Sequence, residues 1–317
     1  VVVEIDSEIA SVLQGQAQAA VQAGFVPPAT GDALGLRATV NSSMSSNFEA
    51  LPDAPAVTTL PVTITSVDGT VIESRWYLPE SAGDGSAVIY VHGGGMICGS
   101  VAIYDRFLRY YVQLTGVPFL AVDYRLAPEY PGSSATADCL AVLEWLHANA
   151  EEQGVDASRI AIMGDSAGGG VAAGTAILAR DRGIALAQQI LIYPMLDDRN
   201  TTPDPALAPI ATWTYENNLT GWTALLGEDV GGPAISPVVA PGRLTAFEGL
   251  APAYIEVGEL DIFRDESVLY ASGLMRAGVS CELQVHPHAP HGYDLISIHA
   301  ALSRRALDSR VRLVTSL

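Results

Sequence analysis

The 317-residue chain predicts an α/β fold: a mainly parallel central sheet flanked by helices on both faces. Three observations carry this. From residue 87 onward, short apolar runs alternate with helical patterns. The runs are almost continuous in Val, Ile, Leu and Ala, as expected for strands buried on both faces. One of them, Ile160–Met163, leads through Gly164-Asp165-Ser166-Ala167-Gly168 into a run of small residues. A serine on such a strand–turn–helix corner is held strained and exposed, where its hydroxyl can attack a carbonyl.

The elements follow in order. Asp6–Ala20 reads as a helix with Ile5, Ile9, Val12 and Leu13 on one side. Gly24–Asn47, rich in Pro, Gly and Ser, reads as irregular. Val62–Val67 and Val71–Tyr77 flank Asp68-Gly69, a strong hairpin signal that opens an antiparallel edge. Strands are expected at Ala87–Val91, Pro118–Val122, Ile160–Met163, Gln189–Tyr193, Ala253–Val257 and Glu282–His286. Helices are expected at Tyr104–Thr115, Ser134–Glu152, Ala167–Arg182 and Arg264–Ala277, with Tyr293–Thr315 closing the chain. Asp197–Leu250 breaks the rhythm. It carries Pro203, Pro205, Pro209, Pro233 and Pro237, with Trp213, Tyr215 and Trp222. A compact domain rarely holds so long a structureless loop, so the interval reads as an insertion with its own helices, such as Trp213–Leu226, lying over the strand ends.

Composition narrows the function. The formal net charge is −19, and all sixteen basic residues are arginine. Without lysine there is no Schiff-base chemistry and no Ser–Lys dyad. Nothing offers a basic patch, which argues against nucleic acid and anionic membranes as partners. The charge reads as a solvated surface. No apolar run reaches the roughly 18 residues of a membrane span. The first residues lack the basic, apolar, small-residue pattern of an export signal. The chain opens on Val1 rather than Met, so a removed segment before it stays open. Cys98, Cys139 and Cys281 are far apart and odd in number, which fits buried free thiols in a reducing cytoplasm, the expected location. No metal or organic cofactor is implied.

A nucleophilic serine needs a base, and the base needs a carboxylate to hold its tautomer. In a sheet of this kind the order is serine, acid, histidine. His291, before Gly292 in a loop after the last strand, is the candidate base. His92 belongs to a glycine run, His147 lies inside a helix and His299 inside the last one. His286, His288 and His291 form a close trio that could suggest a metal, but no carboxylate cluster supports it. For the acid, Asp265 and Glu266 are ordinary first-turn residues of a helix. Glu259 and Asp261 both lie at the strand's C-terminal end, where sites in open α/β sheets form, and position barely separates them. A second motif, His92-Gly93-Gly94-Gly95, follows the strand Ala87–Val91. Chance supplies a G-x-S-x-G roughly 0.2 times in such a chain and an H-G-G-G only about 0.005 times.

Together, His92–Gly95, Asp123-Tyr124-Arg125-Leu126-Ala127-Pro128-Glu129 and Gly164-Asp165-Ser166-Ala167-Gly168-Gly169 resemble the hormone-sensitive-lipase family of α/β-hydrolases, in its bacterial esterase branch. The similarity runs from about Asp68 to the C-terminus. The family's D-P-L-R-D-E acid motif is matched here by Asp261-Ile262-Phe263-Arg264-Asp265-Glu266, which carries the acid role to Asp261. Its H-G-F base motif is matched by His291-Gly292-Tyr293. The resemblance also gives Gly94, Gly95 and Ala167 as backbone donors of an oxyanion hole. Two departures, Ile262 for proline and Met96 for the aromatic after the glycines, leave the reacting groups intact. Asp123–Glu129 and Asp165 read as structural supports.

The resemblance implies an α/β-hydrolase domain over 51–317 with a helical cap, made of residues 1–50 and an insertion at about 197–245. It implies ester hydrolysis through an acyl-enzyme on a small-molecule substrate, with a homodimer as a family habit that no residue here specifies. An amidase, a lactonase or another acyl-transfer enzyme would use the same triad, and a non-catalytic ligand-binding protein would lack the histidine. Short acyl chains are expected, with Trp213 and Trp222 closing over the strand ends, Met96 softening the pocket wall, and no apolar surface to anchor an oil interface.

Overall fold

The computed structural model describes residues 4–81 and 83–317. Its chain order is α1 (Ser7–Gln22), α2 (Ala33–Glu49), β1 (Thr58–Thr65), β2 (Val71–Leu78), β3 (Ala87–Val91), α3 (Asp105–Thr115), β4 (Phe119–Val122), α4 (Ser134–Ala148), β5 (Ile160–Asp165) and α5 (Ala167–Arg182). There follow β6 (Gln188–Ile192), α6 (Tyr215–Leu226), β7 (Ala253–Gly258), α7 (Arg264–Arg276), β8 (Cys281–His286), α8 (Tyr293–Ile296) and α9 (Ala301–Thr315). The eight strands form one sheet in the order β1-β2-β4-β3-β5-β6-β7-β8. Only β2 runs against its neighbours; β4, β3 and β5 through β8 pair in parallel. The Asp68-Gly69 hairpin closes with Thr65 opposite Val71.

Successive residues of a strand face opposite sides of the sheet. In β3, Ile89 and Val91 join one core cluster with Leu140 and Val142 of α4, Ala172 of α5 and Leu274 of α7. Val88 and Tyr90 join the other with Phe107 and Tyr111 of α3 and Ala306 of α9. Both faces are therefore covered, and the parallel strand ends meet along one rim of the sheet.

Three expectations change. Gly24–Asn47 is not irregular throughout, because its residues from Ala33 onward belong to α2. Leu36, Val40, Met44 and Phe48 recur every four residues and make its inner stripe, hidden in the sequence by intervening Ser and Asn. Asp32 starts the helix by accepting the Gly35 N–H at 2.9 Å. The closing helix is two helices. Ser297 is extended, α9 starts afresh at Ala301, and His299 sits exposed in the turn between them. The 197–250 interval holds one α-helix, α6, capped by the Thr214 side chain, and otherwise only single 3₁₀ turns. Residues 1–3 of the expected N-terminal cap lie outside the described residues. An apolar strip was also unforeseen: Val21, Phe25, Val26 and Leu34 are 81%, 48%, 80% and 56% exposed. Among the described residues, no helix is long and apolar enough to cross a membrane.

Candidate active site

Ser166 stands between β5 and α5 with φ 53° and ψ −121°, strained for a residue with a side chain. Packing enforces the corner. A Cβ on Gly164 would lie 2.3 Å from the Gly168 carbonyl oxygen, and one on Gly168 would lie 2.1 Å from that of Val91. The Ser166 backbone is clasped from β6: its N–H donates to the Ile192 carbonyl at 2.8 Å, and its own carbonyl accepts from Met195 at 2.9 Å.

His291 arrives from the β8–α8 loop. Its Nε2 is 2.9 Å from Ser166 Oγ, and its Nδ1 is 2.7 Å from Asp261 Oδ2. An ionised carboxylate can only accept, so Nδ1 carries the proton and Nε2 is left to accept from the hydroxyl. Asp261, 1% exposed, is fixed in turn by the Phe263 N–H, which donates to its Oδ1 at 2.9 Å. Glu259, the competing acid, instead accepts the His288 N–H at 2.9 Å. The imidazole has Tyr193 and Phe263 edge-on at 4.9 Å and 5.0 Å, and the His291 backbone carbonyl accepts from the Thr212 hydroxyl at 2.6 Å. The other histidines go elsewhere. His288 Nδ1 meets the Glu4 carbonyl, His286 faces Glu256 at 3.9 Å, and His147 Nε2 meets the Ala185 carbonyl. Among the described residues, no group of three metal-ligating side chains forms.

Gly94 shares a cavity of about 110 Å³ with Ser166 and His291. Among the described residues, the N–H groups of Gly94, Gly95 and Ala167 have no acceptor. Ala167 is the first residue of α5, so its N–H also carries the positive end of the helix dipole. The glycine run is braced from behind by Asp165. It accepts from the Gly93 N–H at 3.1 Å and from the Tyr90 and Tyr104 hydroxyls at 2.8 Å each. Burial nevertheless pushes its carboxyl up to about 6.

Asp123–Glu129 is the expected support. Asp123 accepts the Val101 N–H, the Tyr124 hydroxyl donates to the His92 carbonyl, and Arg125 pairs with buried Asp138. Trp213 lines the cavity as expected, but two neighbours do not. Trp222 is fully buried in the core, and Met96 lies beneath the glycine run with its methyl toward Gly170.

Several residues escaped the sequence reading. Tyr193, in the left-handed region at φ 34°, joins the imidazole to a buried network: its hydroxyl donates to Asp294, which pairs with Arg310, which pairs with Glu256. Val40, Met44 and Leu295 line the cavity. Arg37 ties α2 to the turn after the glycine run through the Ile97 carbonyl, and to the support loop through the Ala127 carbonyl and Glu129. The four-residue period of α2 was a usable signal for Val40 and Met44; nothing marked Leu295.

Residues 88–295 match the model of an alpha/beta hydrolase fold family. The chain is 39% identical over 230 residues to carboxylesterase NlhH of Mycobacterium tuberculosis, covering 71% of this chain and 72% of that one. It is 34% identical over 245 residues to an ethyl acetate hydrolase of Pseudomonas putida, covering 73% and 74%. Among solved structures, a bacterial heroin esterase superposes with a TM-score of 0.88 at 34% identity, covering 98% of this chain and 97% of the other.

Proposed function

Because the chain belongs to the α/β-hydrolase family, in its hormone-sensitive-lipase-like esterase branch, and is a serine carboxylesterase, we propose that it cleaves short-acyl esters with Ser166 as nucleophile. His291 takes the hydroxyl proton as Oγ attacks the ester carbonyl. Asp261 holds the imidazole and stabilises its cation. The Gly94, Gly95 and Ala167 N–H groups receive the tetrahedral oxyanion, at roughly 3 kcal/mol per well-placed donor. His291 then protonates the departing alcohol and activates water to release the acid. Residues 4–50 and the 197–245 segment act as a cap that selects the substrate. The free cysteines fit a cytoplasmic setting.

The observation that carries the reading is the unbroken Asp261–His291–Ser166 chain opening into a small cavity. At about 110 Å³ the cavity holds the volume of about four waters, room for an acyl group of a few carbons. A groove of about 530 Å³, which shares Val40, Met44 and Trp213 with it, is large enough for a bulkier alcohol. Relatives named ethyl acetate hydrolase and heroin esterase support the same division.

The test is a p-nitrophenyl ester series of increasing acyl length, run beside an anilide, a lactone and emulsified triolein. The expected optimum is at acetate to butyrate, and Ser166→Ala lowers kcat on the order of 10⁴-fold or more at unchanged melting. A variant as active as the parent removes Ser166 from the mechanism. Faster turnover of the anilide or lactone moves the enzyme to another acyl-transfer class. Interfacial activation on triolein, which the strip around Phe25 makes worth testing, overturns the short-chain assignment.

A further inference from the structure

A second cavity, of about 270 Å³, lies one helical turn further along α2 than the Ser166 cavity. Val40 and Met44 face the first cavity; Asn47 and Phe48 face the second. Residues four apart on a helix stack about one turn, roughly 5.4 Å, along its axis. The gap between the cavities is thus close to the thickness of one side chain. Leu295 fills it, lining both cavities from the short helix α8. Beside it, Phe48 of the second cavity packs edge-on against Tyr104 of the first, with ring centroids 4.8 Å apart.

The second cavity has an apolar floor beside polar residues that include Asp294 and Ser297. Phe48, Leu51, Phe107 and Ile298 make a buried apolar floor, and exposed Gln16 and His299 stand at its outer rim. The active-site cavity is walled at this end by an aliphatic side chain rather than by backbone. Leu295 is only half-buried, on a four-residue helix flanked by Gly292 at φ 64° and extended Ser297.

We propose that Leu295 sets the acyl-length limit of this esterase, and that the cavity behind it receives the tail of a linear acyl chain when that side chain is cut back. The proposal rests on the reading that the acyl group, rather than the alcohol, occupies the Ser166 cavity. Each methylene admitted to an apolar pocket changes discrimination by roughly 10-fold or more, so one shortened side chain is enough to move the optimum.

The experiment measures kcat/KM for p-nitrophenyl acetate through laurate, and for alkyl acetates of matching alcohol length, in the parent and in Leu295→Ala. The octanoate-to-acetate ratio rises at least about tenfold in the variant. Leu295→Val moves it in the same direction by less, and carries the test if the alanine variant does not fold. Leu295→Phe moves the optimum toward acetate. Ala50, exposed just past the end of α2, also lines the second cavity, and adding Ala50→Trp to Leu295→Ala fills that cavity and removes the octanoate gain. An unchanged ratio with acetate turnover retained overturns the proposal, as does a gain that survives Ala50→Trp. A shift confined to the alkyl acetates overturns it by placing the alcohol on this side. If no variant and no parent hydrolyses acetate, it is the esterase reading itself that has failed.

Discussion

Two sides of one cavity are held together in different ways. On the strand-end side, the groups proposed to react and the brace behind them are each fixed by several partners at once. Ser166 is clasped through both its backbone N–H and carbonyl, Asp261 has a second donor besides the imidazole, and Asp165 has three. Here glycines sit where no Cβ fits. On the α2 side, only Ala33, Leu36 and Phe48 of the helix are buried, and Leu34 and residues 29–32 stand in solvent. That helix is also tied down by Arg37, whose guanidinium reaches two carbonyls and Glu129, and by Asn41, whose Oδ1 accepts the Gly99 N–H. Groups that do chemistry must stay within a fraction of an ångström, so their surroundings over-determine them. A wall that selects substrates needs only the right shape, and few contacts suffice.

The largest effect that could break this contrast is at the acid. Asp261→Asn keeps the side chain's shape but forces the imidazole toward the wrong tautomer, and kcat falls by about 10⁴. Glu259→Gln, two residues away and with its side chain bonded to the His288 backbone rather than to the imidazole, changes kcat less than about threefold. Steady-state kinetics on both variants decide it. If Glu259→Gln is the more damaging, the strand-end side is not organised as its hydrogen bonds indicate.

The contrast also explains what was legible in the sequence. A constraint that admits one residue type leaves a motif. The close approaches at Gly164 and Gly168, the donors around Asp165, and the Asp261–His291 pair all demand particular residues, so Ser166, His291 and the glycine run stand out. The choice of Asp261 over Glu259 was not legible from position, since both follow the same strand. It came from the resemblance; Asp261 Oδ2 lies 2.7 Å from His291 Nδ1, while Glu259 accepts the His288 N–H. Strands were readable for a similar reason: burial on both faces demands unbroken apolar runs. The α2 side makes weaker demands. Ser and Asn are tolerated between Leu36, Val40, Met44 and Phe48, so the helix was taken for irregular chain. The break at Ser297 was missed because Leu295, Ile298 and Leu302 keep up an apolar pattern across it. Met96 was read as softening the pocket wall because it stands where the resembled family carries an aromatic, yet its side chain lies toward Gly170.

Gly95 is where the two sides touch, and it sharpens the comparison. Its φ is 62°, and a Cβ there would meet Trp213 Cζ2 at 2.7 Å. Gly95→Ala must displace either the glycine run or the indole. The fixed side is expected to yield least, yet a shift of its donors by a few tenths of an ångström already weakens oxyanion binding. The expected loss is about 10²–10³ in kcat with little change in KM. Trp213→Phe combined with Gly95→Ala relieves the clash but not the backbone strain, so it recovers part of the loss. A double-mutant cycle reads this as coupling between the sides. Strictly additive effects would mean that the indole does not bear on the glycine run.

The smallest effect tests what the fixed side costs. Asp165 is almost fully buried, and despite its three donors its carboxyl is raised to about 6, first by burial and then by the nearby Asp294 charge. A folded-state value above the ordinary 3.8 means that between about pH 4 and pH 6 the native protein holds this proton more tightly than the unfolded chain. Unfolding free energy from this group therefore falls as pH rises through that window, and the cost is fully present above it. Two pH units correspond to up to about 3 kcal/mol. Asp165→Asn cannot ionise and escapes the charge term, while its altered hydrogen bonds add a constant offset. Urea unfolding of parent and variant at intervals from pH 4 to pH 8 isolates the term. The variant's free energy minus the parent's should climb between pH 4 and 6 and then stay level. A difference that is flat or declining over that window would mean Asp165 is held without penalty, and that the brace behind the glycine run is bought at no expense in stability.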